Sequence, residues 1–110
     1  METRTELLRG TLDLLILQSL SAESRHGLGI SRRIGQMTRG AFDVKPGSLF
    51  PALYRLEERG FVKAAWGESD TQRRAKFYTL TRLGRKQLRV EEAQWQRIAT
   101  AMAHALEASS

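Results

Sequence analysis

The chain has 110 residues, of which 41% are apolar and 27% charged, so length and composition predict one globular domain with a modest core. It has no cysteine and only two histidines, which excludes disulfides, thiolate metal sites and a histidine-rich metal cage, and no cofactor is expected. The net charge of +6 and the pI of about 10.5 are typical of nucleic-acid-binding domains, although other soluble basic proteins share this balance.

The first predicted helix runs from Thr3 to Ser21 and opens with a capping box, in which Thr3 is followed by Glu6. Its apolar residues fall on two sides. One stripe consists of Leu8, Leu12, Leu15, Ile16 and Leu20, and the other of Leu7, Leu14 and Leu17. A helix that is apolar on two sides is buried on two sides, and a short chain has few elements to do this. We therefore expect a second copy of the chain to cover one stripe; the alternative is that helices of the same chain cover both.

The N-terminal region predicts neither a membrane span nor a secretion signal. The apolar run from Leu12 to Leu20 is too short to cross a bilayer, and acidic Glu2 and Glu6 precede it where a signal peptide is basic. We expect a cytoplasmic protein that does not contact membranes.

A polar segment, Ser21 to Gly27, is predicted to be a loop, in which His26 serves as a turn or capping residue rather than a catalyst. The second predicted helix covers Leu28 to Thr38. Its apolar stripe consists of Ile30, Ile34 and Met37. The following segment, Ala41 to Lys45, fits a very short strand or an extended connector.

The third predicted helix lies between Lys45 and Gly60. Pro46 suits the first position of a helix, and Gly60 suits the position just after its end. One face carries Leu49, Leu53 and Leu56 and is expected to be buried. Pro51 is harmless if the helix begins at Ser48, whereas a start at Pro46 predicts a kink. This helix therefore buries one face and leaves a small polar and aromatic face exposed.

Two strand-like segments follow, Phe61 to Trp66 and Lys76 to Thr81, which predict a hairpin with a nine-residue tip. The last predicted helix, Thr81 to Ala108, is long enough to project beyond a small domain, and Gly84 is expected to bend its start. The order α-α-α-β-β-α predicts a mainly α (α+β) winged helix-turn-helix over residues 1–81. The helix over residues 82–110 is then a dimerisation helix.

This architecture identifies candidate DNA contacts, because an α-helix fits the major groove and its N-terminal residues reach the base edges. On the third helix the candidates are Lys45, Ser48, Phe50, Pro51, Tyr54 and Arg55. Arg55 is expected to bind either a guanine or a phosphate. In the hairpin, Arg73, Arg74 and Lys76 are expected to contact the DNA backbone or the minor groove; the alternative is a solvated basic loop.

The chain also resembles the PadR-like transcriptional regulators, in their short subfamily with a single C-terminal helix. The shared segments are RGTLDLLIL (9–17), HGLGI (26–30), PGSLFPALYRLEERGFV (46–62), WGES (66–69) and RRAKFYTLTRLGRKQL (73–88). Four positions depart from the family pattern: Leu28, Phe50 and Phe77 stand where tyrosine is frequent, and Gln72 where the wing often has glycine. The missing hydroxyl at Phe50 removes a hydrogen bond that a tyrosine could make to DNA.

The resemblance implies a homodimeric transcriptional regulator, most often a repressor, that binds a near-palindromic operator in double-stranded DNA and is not an enzyme. Its predicted dimer interface comprises Leu7, Leu14, Leu17, Leu88, Trp95, Ile98, Met102 and Leu106. Some members hold flat aromatic ligands between their subunits, so Trp95 is either interface core or a platform for an aromatic effector. Two alternatives stay open: a winged-helix module for protein–protein contact, and a nonspecific nucleic-acid-binding protein.

Overall fold

The computed structural model describes the backbone of residues 2–108 and the side chains of residues 10–108. Its elements are α1 (Glu2–Ser19), β1 (Arg25–His26), α2 (Gly27–Met37), α3 (Pro46–Glu58), β2 (Val62–Glu68), β3 (Arg74–Leu80) and α4 (Arg82–Glu107). This order confirms the predicted mainly helical fold and adds the short strand β1. None of the helices described combines the length and the apolar character that a membrane span requires. The predicted Thr3–Glu6 capping box lies outside the described side chains.

A single hydrophobic core joins the helices to one face of the sheet. Helix α3 contributes its predicted leucine stripe, and the other elements add side chains of the same kind. The most deeply buried members outside α3 are Ile16 and Leu17 of α1, Leu20 just after it, Ile30 and Ile34 of α2, and Val62 of β2. Leu17 is fully buried within this core, so for the C-terminal part of α1 the chain itself covers both apolar stripes.

Strand β1 extends the predicted hairpin to a three-stranded antiparallel sheet with the order β1-β3-β2. Arg25 pairs with Tyr78 and His26 with Phe77. His26 then acts as the N-cap of α2, because its Nδ1 accepts a hydrogen bond of 3.1 Å from the Gly29 N–H. The predicted capping role of His26 is confirmed; residues 21–24 form a loop as predicted, whereas Arg25 and His26 form a strand. The connector from Ala41 to Lys45 contains no strand.

Helix α3 begins at Pro46 and continues through Pro51 to Glu58. It ends as predicted at Gly60, which has a left-handed φ of +79°. The Phe61 N–H bonds to the Leu56 carbonyl at 2.9 Å, and the Gly60 N–H bonds to the Glu57 carbonyl at 3.0 Å. These two bonds form a Schellman motif, which stops the helix at a defined residue.

The hairpin formed by β2 and β3, here called the wing, has a shorter tip than the predicted nine residues. The strands pair from Val62 with Leu80 to Glu68 with Arg74, which leaves the five residues 69–73 as the loop. Gln72 lies in this loop with a φ of +62°, a conformation that favours glycine. The family pattern of a glycine at this position therefore has a conformational reason.

Helix α4 starts with Thr81 as its N-cap, whose hydroxyl accepts a hydrogen bond of 3.0 Å from the Gly84 N–H. A Cβ placed on Gly84 would overlap the carbonyl oxygen of Phe61. That carbonyl also accepts the Thr81 N–H at 3.1 Å, so it cannot move away without losing a hydrogen bond. The missing side chain of Gly84 thus lets α4 approach the start of the wing.

Gly84→Ala is expected to lower the free energy of unfolding by about 2–4 kcal/mol, because the new methyl group forces α4 away from Phe61. The matched control is Gly35→Ala in α2, where a Cβ meets nothing within 4 Å. This control should stabilise the protein by about 0.5–1 kcal/mol. Urea unfolding of both variants measures the difference, and equal midpoints would contradict the close contact.

Candidate nucleic-acid interface

Helix α3 has two chemically different faces. The leucine face is buried in the core, whereas Ser48, Phe50, Pro51 and Tyr54 are exposed. The phenol ring of Tyr54 is 62% exposed and the Phe50 ring 47%. Exposed aromatic side chains beside small polar ones give this face a surface suited to apolar contacts with thymine methyl groups. The predicted division of α3 into a core face and an outer face agrees with these exposures.

The N-terminus of α3 is open to solvent. Lys45 is its N-cap residue and forms no side-chain capping bond; Pro46 has no N–H, and the Ser48 N–H bonds to the Lys45 carbonyl at 3.0 Å. The Gly47 N–H, which no described side chain caps, and the helix dipole favour an anion at this end. The Lys45 ammonium forms a 2.7 Å ion pair with Asp43, but both side chains are exposed, and such a pair contributes little to stability. Lys45 is therefore available for a phosphate.

Tyr54 presents a neutral hydroxyl group. A hydrogen bond with the Glu58 carboxylate, one turn further along α3, and the charge of that carboxylate raise the pKa of Tyr54 above its ordinary value. The phenol stays protonated at physiological pH, and its O–H donates to Glu58, so a hydrogen bond to another acceptor requires that bond to break.

Arg55 is not on the outer face, contrary to its prediction as a DNA contact. Its guanidinium nitrogen donates to the Asp13 carboxylate of α1 at 3.2 Å, and both side chains are partly buried. If Arg55 left this pair to reach DNA, the Asp13 carboxylate would remain largely buried without a partner, which is costly. Arg55 therefore holds α3 against α1, and we remove it from the candidate DNA contacts.

The ion pair does not make Asp13 more acidic. Burial raises the pKa of Asp13 above its ordinary value of 3.8, while the charge and the hydrogen bond of Arg55 act to lower it. The carboxylate of Glu91 on α4 raises it further, whereas Arg59 lowers it. Burial and Glu91 together thus outweigh Arg55 and Arg59, so the pair leaves the pKa of Asp13 above its ordinary value. Its value to the fold is to fix the position of α3.

The wing carries exposed basic side chains next to this surface. Arg73 ends the loop, and Arg74 and Lys76 lie on β3. None of the three forms an ion pair with a described carboxylate. Since their charges are not neutralised within the described chain, they remain available to an anionic partner. The loop is ordered by two 2.8 Å backbone bonds, from Ser69 to the Arg73 carbonyl and from Gln72 to the Ser69 carbonyl.

Helix α2 adds two side chains that the sequence did not indicate. A surface groove of about 480 Å³ separates α2 from the wing loop, and Leu28, Arg32, Arg73 and Arg74 are among its lining residues. Leu28 and Arg32 are both exposed. Arg32 lies off the Ile30, Ile34 and Met37 stripe in the sequence, a position that indicates a surface cation. The groove places it on the same basic side as the wing.

The residues predicted at a dimer interface divide into three groups. Leu17 and Leu88 belong to the core of the chain itself, so they have no surface to offer a partner. Leu14 is half-buried against that core, and the side chain of Leu7 lies outside the described residues. The predicted α4 residues beyond Leu88 are exposed: Trp95, Ile98, Met102 and Leu106. Among the predicted interface residues whose side chains the structure describes, this last group forms the surface on which a second copy could pack.

Comparison with known proteins gives consistent matches. The sequence model described as the transcriptional regulator PadR-like family matches residues 16–90. An uncharacterized protein from Lysinibacillus sphaericus is 30% identical over 92 residues, 84% of each chain. The structure resembles a transcriptional regulator from Clostridium thermocellum with a TM-score of 0.80 and 27% identity, covering 90% of this chain and 93% of the other. It also resembles a PadR family transcription regulator from Clostridium difficile, with a TM-score of 0.74, 28% identity, and coverage of 86% and 97%.

Asp13→Asn is expected to change how stability depends on pH. Because the folded chain holds the Asp13 proton to higher pH than the unfolded chain does, Asp13 makes the wild type less stable as pH rises from 3.8 through its folded pKa. Asparagine does not titrate, yet its carbonyl still accepts from Arg55. The free energy of unfolding of the variant relative to wild type should therefore increase with pH across this window. Parallel curves from urea unfolding at several pH values would contradict the assignment.

Proposed function

Since the chain belongs to the PadR-like family of transcriptional regulators, we propose that it is a sequence-specific repressor that binds double-stranded DNA as a homodimer in the cytoplasm. The family consists of regulators and not of enzymes, in agreement with the sequence prediction. One observation carries the proposal: the exposed N-terminal face of α3 lies beside a wing whose basic side chains have no ion-pair partner among the described residues.

In the proposed complex, α3 is the recognition helix and enters the major groove. Its N-terminus and Lys45 meet a phosphate, Ser48 donates a hydrogen bond to a base or the backbone, and Tyr54 offers its exposed ring. Arg73, Arg74 and Lys76 bind phosphates or the minor groove beside the helix. Arg32 of α2 lines the surface groove between α2 and the wing loop, together with Arg73 and Arg74, and extends this basic surface.

The recognition helix carries few long polar side chains once Arg55 is assigned to Asp13. Arg55 would have been its only guanidinium in position to bind a guanine with two hydrogen bonds. Phe50 and Pro51 instead offer apolar contact. We therefore propose that specificity relies on thymine methyl groups, on DNA shape and on the spacing of two half-sites, more than on a dense set of base hydrogen bonds.

The second half of α4 supports the proposal of a homodimer. Gly84 and Leu88, both near its start, are the residues of α4 that the described chain buries. Beyond them, Trp95, Ile98 and Met102 share one side of the helix and stay about half exposed. A row of large apolar side chains on a projecting helix is typical of a surface that another protein covers. An antiparallel or parallel pairing of two α4 helices would bury it and place two α3 helices on one DNA face.

Within this dimer we assign Trp95 first to the interface, because it continues the apolar row of Ile98 and Met102. The alternative from the family resemblance is an aromatic effector stacked on its ring. Titration of tryptophan fluorescence with flat aromatic compounds decides between them, with Trp95→Phe separating its signal from that of Trp66. Quenching that needs Trp95 and also weakens DNA binding would support the effector.

Selection of genomic DNA fragments bound by the purified protein tests the function as a whole. A regulator should recover a near-palindromic motif, with half-site centres about 34–36 Å apart or at a multiple of that distance. Equal affinity for the recovered fragment and random duplex would favour a nonspecific nucleic-acid-binding protein. The absence of any salt-dependent duplex binding would favour the protein–protein module.

Arg73→Ala is expected to weaken binding to all DNA sequences by a similar factor and to lower the slope of log affinity against log salt concentration by about 1. The reason is the loss of one phosphate contact at the wing. Fluorescence anisotropy at several salt concentrations measures both quantities. Lys63→Ala removes the same charge from an exposed position at the base of the wing and should leave the slope unchanged. An unchanged slope in Arg73→Ala would show that the loop does not contact DNA.

Ile98→Asp is expected to convert the dimer to a monomer, because it places a charge in the apolar row of α4. Sedimentation velocity measures the change, and operator affinity should fall with it. Thr100→Asp is the matched control, since Thr100 is exposed on the opposite side of the same helix. A wild-type protein that sediments as a monomer at micromolar concentration would overturn the proposed dimer.

A further inference from the structure

Trp66 is the most exposed aromatic residue of the wing, with 62% of its surface open to solvent. Side chains alternate between the two faces of a strand, so Trp66 shares a face with Val62 and Ala64 of β2. Val62 is buried in the core and Ala64 packs against it. Trp66 therefore continues the helix-facing side of the wing beyond the edge of the core, where packing within the chain does not explain a large ring.

The ring of Trp66 contacts one particular cation. The guanidinium carbon of Arg74 lies 5.0 Å from the ring centroid, within the range of a cation–π interaction. The register accounts for this contact. Trp66 pairs with Lys76 and Glu68 pairs with Arg74, so Arg74 is the diagonal neighbour of Trp66 on the same face.

Arg74 keeps its charge and its donors available in this arrangement. Glu68 stands opposite it in the register, yet no ion pair joins them, nor does any other described carboxylate pair with Arg74. A guanidinium that contacts an aromatic ring still carries five N–H donors. Arg73, its neighbour in the loop, has the same charge and no ring contact among the described residues. Among the described contacts, the two arginines thus differ in that Arg74 contacts an aromatic ring and Arg73 does not.

We propose that Trp66 is a positioning residue for DNA binding: its ring holds the Arg74 guanidinium in place to meet a phosphate of the DNA backbone. The proposal rests on the proposed function of the chain. An arginine side chain loses rotamer freedom when it binds a phosphate, and a ring that already restricts it reduces that loss. Trp66 then contributes to affinity through Arg74 and forms no phosphate contact of its own.

A double-mutant cycle on the full-length protein tests this mechanism. The probe is a labelled mixed-sequence duplex of about 30 base pairs, because phosphate contacts do not depend on sequence. Arg74→Ala should weaken binding about five- to tenfold and lower the salt slope by about 1. Trp66→Leu keeps an apolar side chain but removes the π face. It should weaken binding about three- to fivefold with an unchanged slope, because the charge remains.

Adding Trp66→Leu to Arg74→Ala and to Arg73→Ala shows whether Trp66 acts through Arg74 or contacts DNA directly. In Arg74→Ala, adding Trp66→Leu should change affinity no further, whereas in Arg73→Ala it should again cost about three- to fivefold. Trp66→Phe retains a ring and should recover most of the loss. Equal effects of Trp66→Leu in the wild-type and Arg74→Ala backgrounds would overturn the proposal, as would no effect in wild type. Thermal unfolding confirms that each variant is folded.

A measurement without DNA separates this proposal from the function on which it rests. The side-chain protons of Arg74 should show ring-current shifts in NMR spectra, and Trp66→Leu should abolish them. Wild-type protein that shows these shifts but does not bind the duplex would overturn the proposed function. Wild-type protein that binds the duplex with no such shifts would overturn only the role of Trp66.

Discussion

The turn at Gly60 and Phe61 fixes how α3, the wing and α4 are arranged. Gly60 adopts a left-handed φ that closes α3, and Phe61 begins the approach to β2. The carbonyls of both residues also accept hydrogen bonds from Thr81, one from its hydroxyl and one from its N–H. Gly84 then lies directly against the Phe61 carbonyl. The end of α3, the start of the wing and the start of α4 are therefore held together by the contacts at this one junction.

The basic side chains behind the net charge of +6 fall into two groups: some bind groups within the chain, and others are exposed on the wing. Arg25 donates to the carbonyl of Ser19, the last residue of α1, and Arg55 pairs with Asp13; both arginines are partly buried. A cation near the core needs such a partner, because leaving it unpaired costs far more than the pair returns. The wing has no core beneath its tip and imposes no such requirement. What makes the wing suited to DNA is thus the absence of ion pairs at its arginines, rather than the total charge.

Local signals in the sequence predicted the local features of the fold. Pro46 and Gly60 mark the ends of α3 correctly, and the leucine period identifies its core face, because helix capping and periodicity depend on neighbouring residues. Contacts between distant residues were not predictable in this way. Arg55 meets a carboxylate 42 residues earlier, and a helical wheel cannot show that partner. Periodicity likewise shows that Leu17 and Leu88 are buried, but not whether the same chain or a second copy buries them.

The junction at Gly60 and Phe61 gives the proposed dimer a direct way to control DNA spacing. Helix α4 has 26 residues and is about 39 Å long, and its exposed apolar row lies in the half remote from this junction. If two chains pair through that row, each α3 sits at the end of a long lever. The row begins around Trp95 and Ile98, about 24 Å from the start of α4, so a rotation of about 10° at the interface would displace the junction by about 4 Å, or about one base-pair step. Because the Asp13–Arg55 pair also fixes α3 to α1, such a rotation would carry α3 as part of a rigid unit. A small change in α4 packing is therefore sufficient to misplace both recognition helices on the operator.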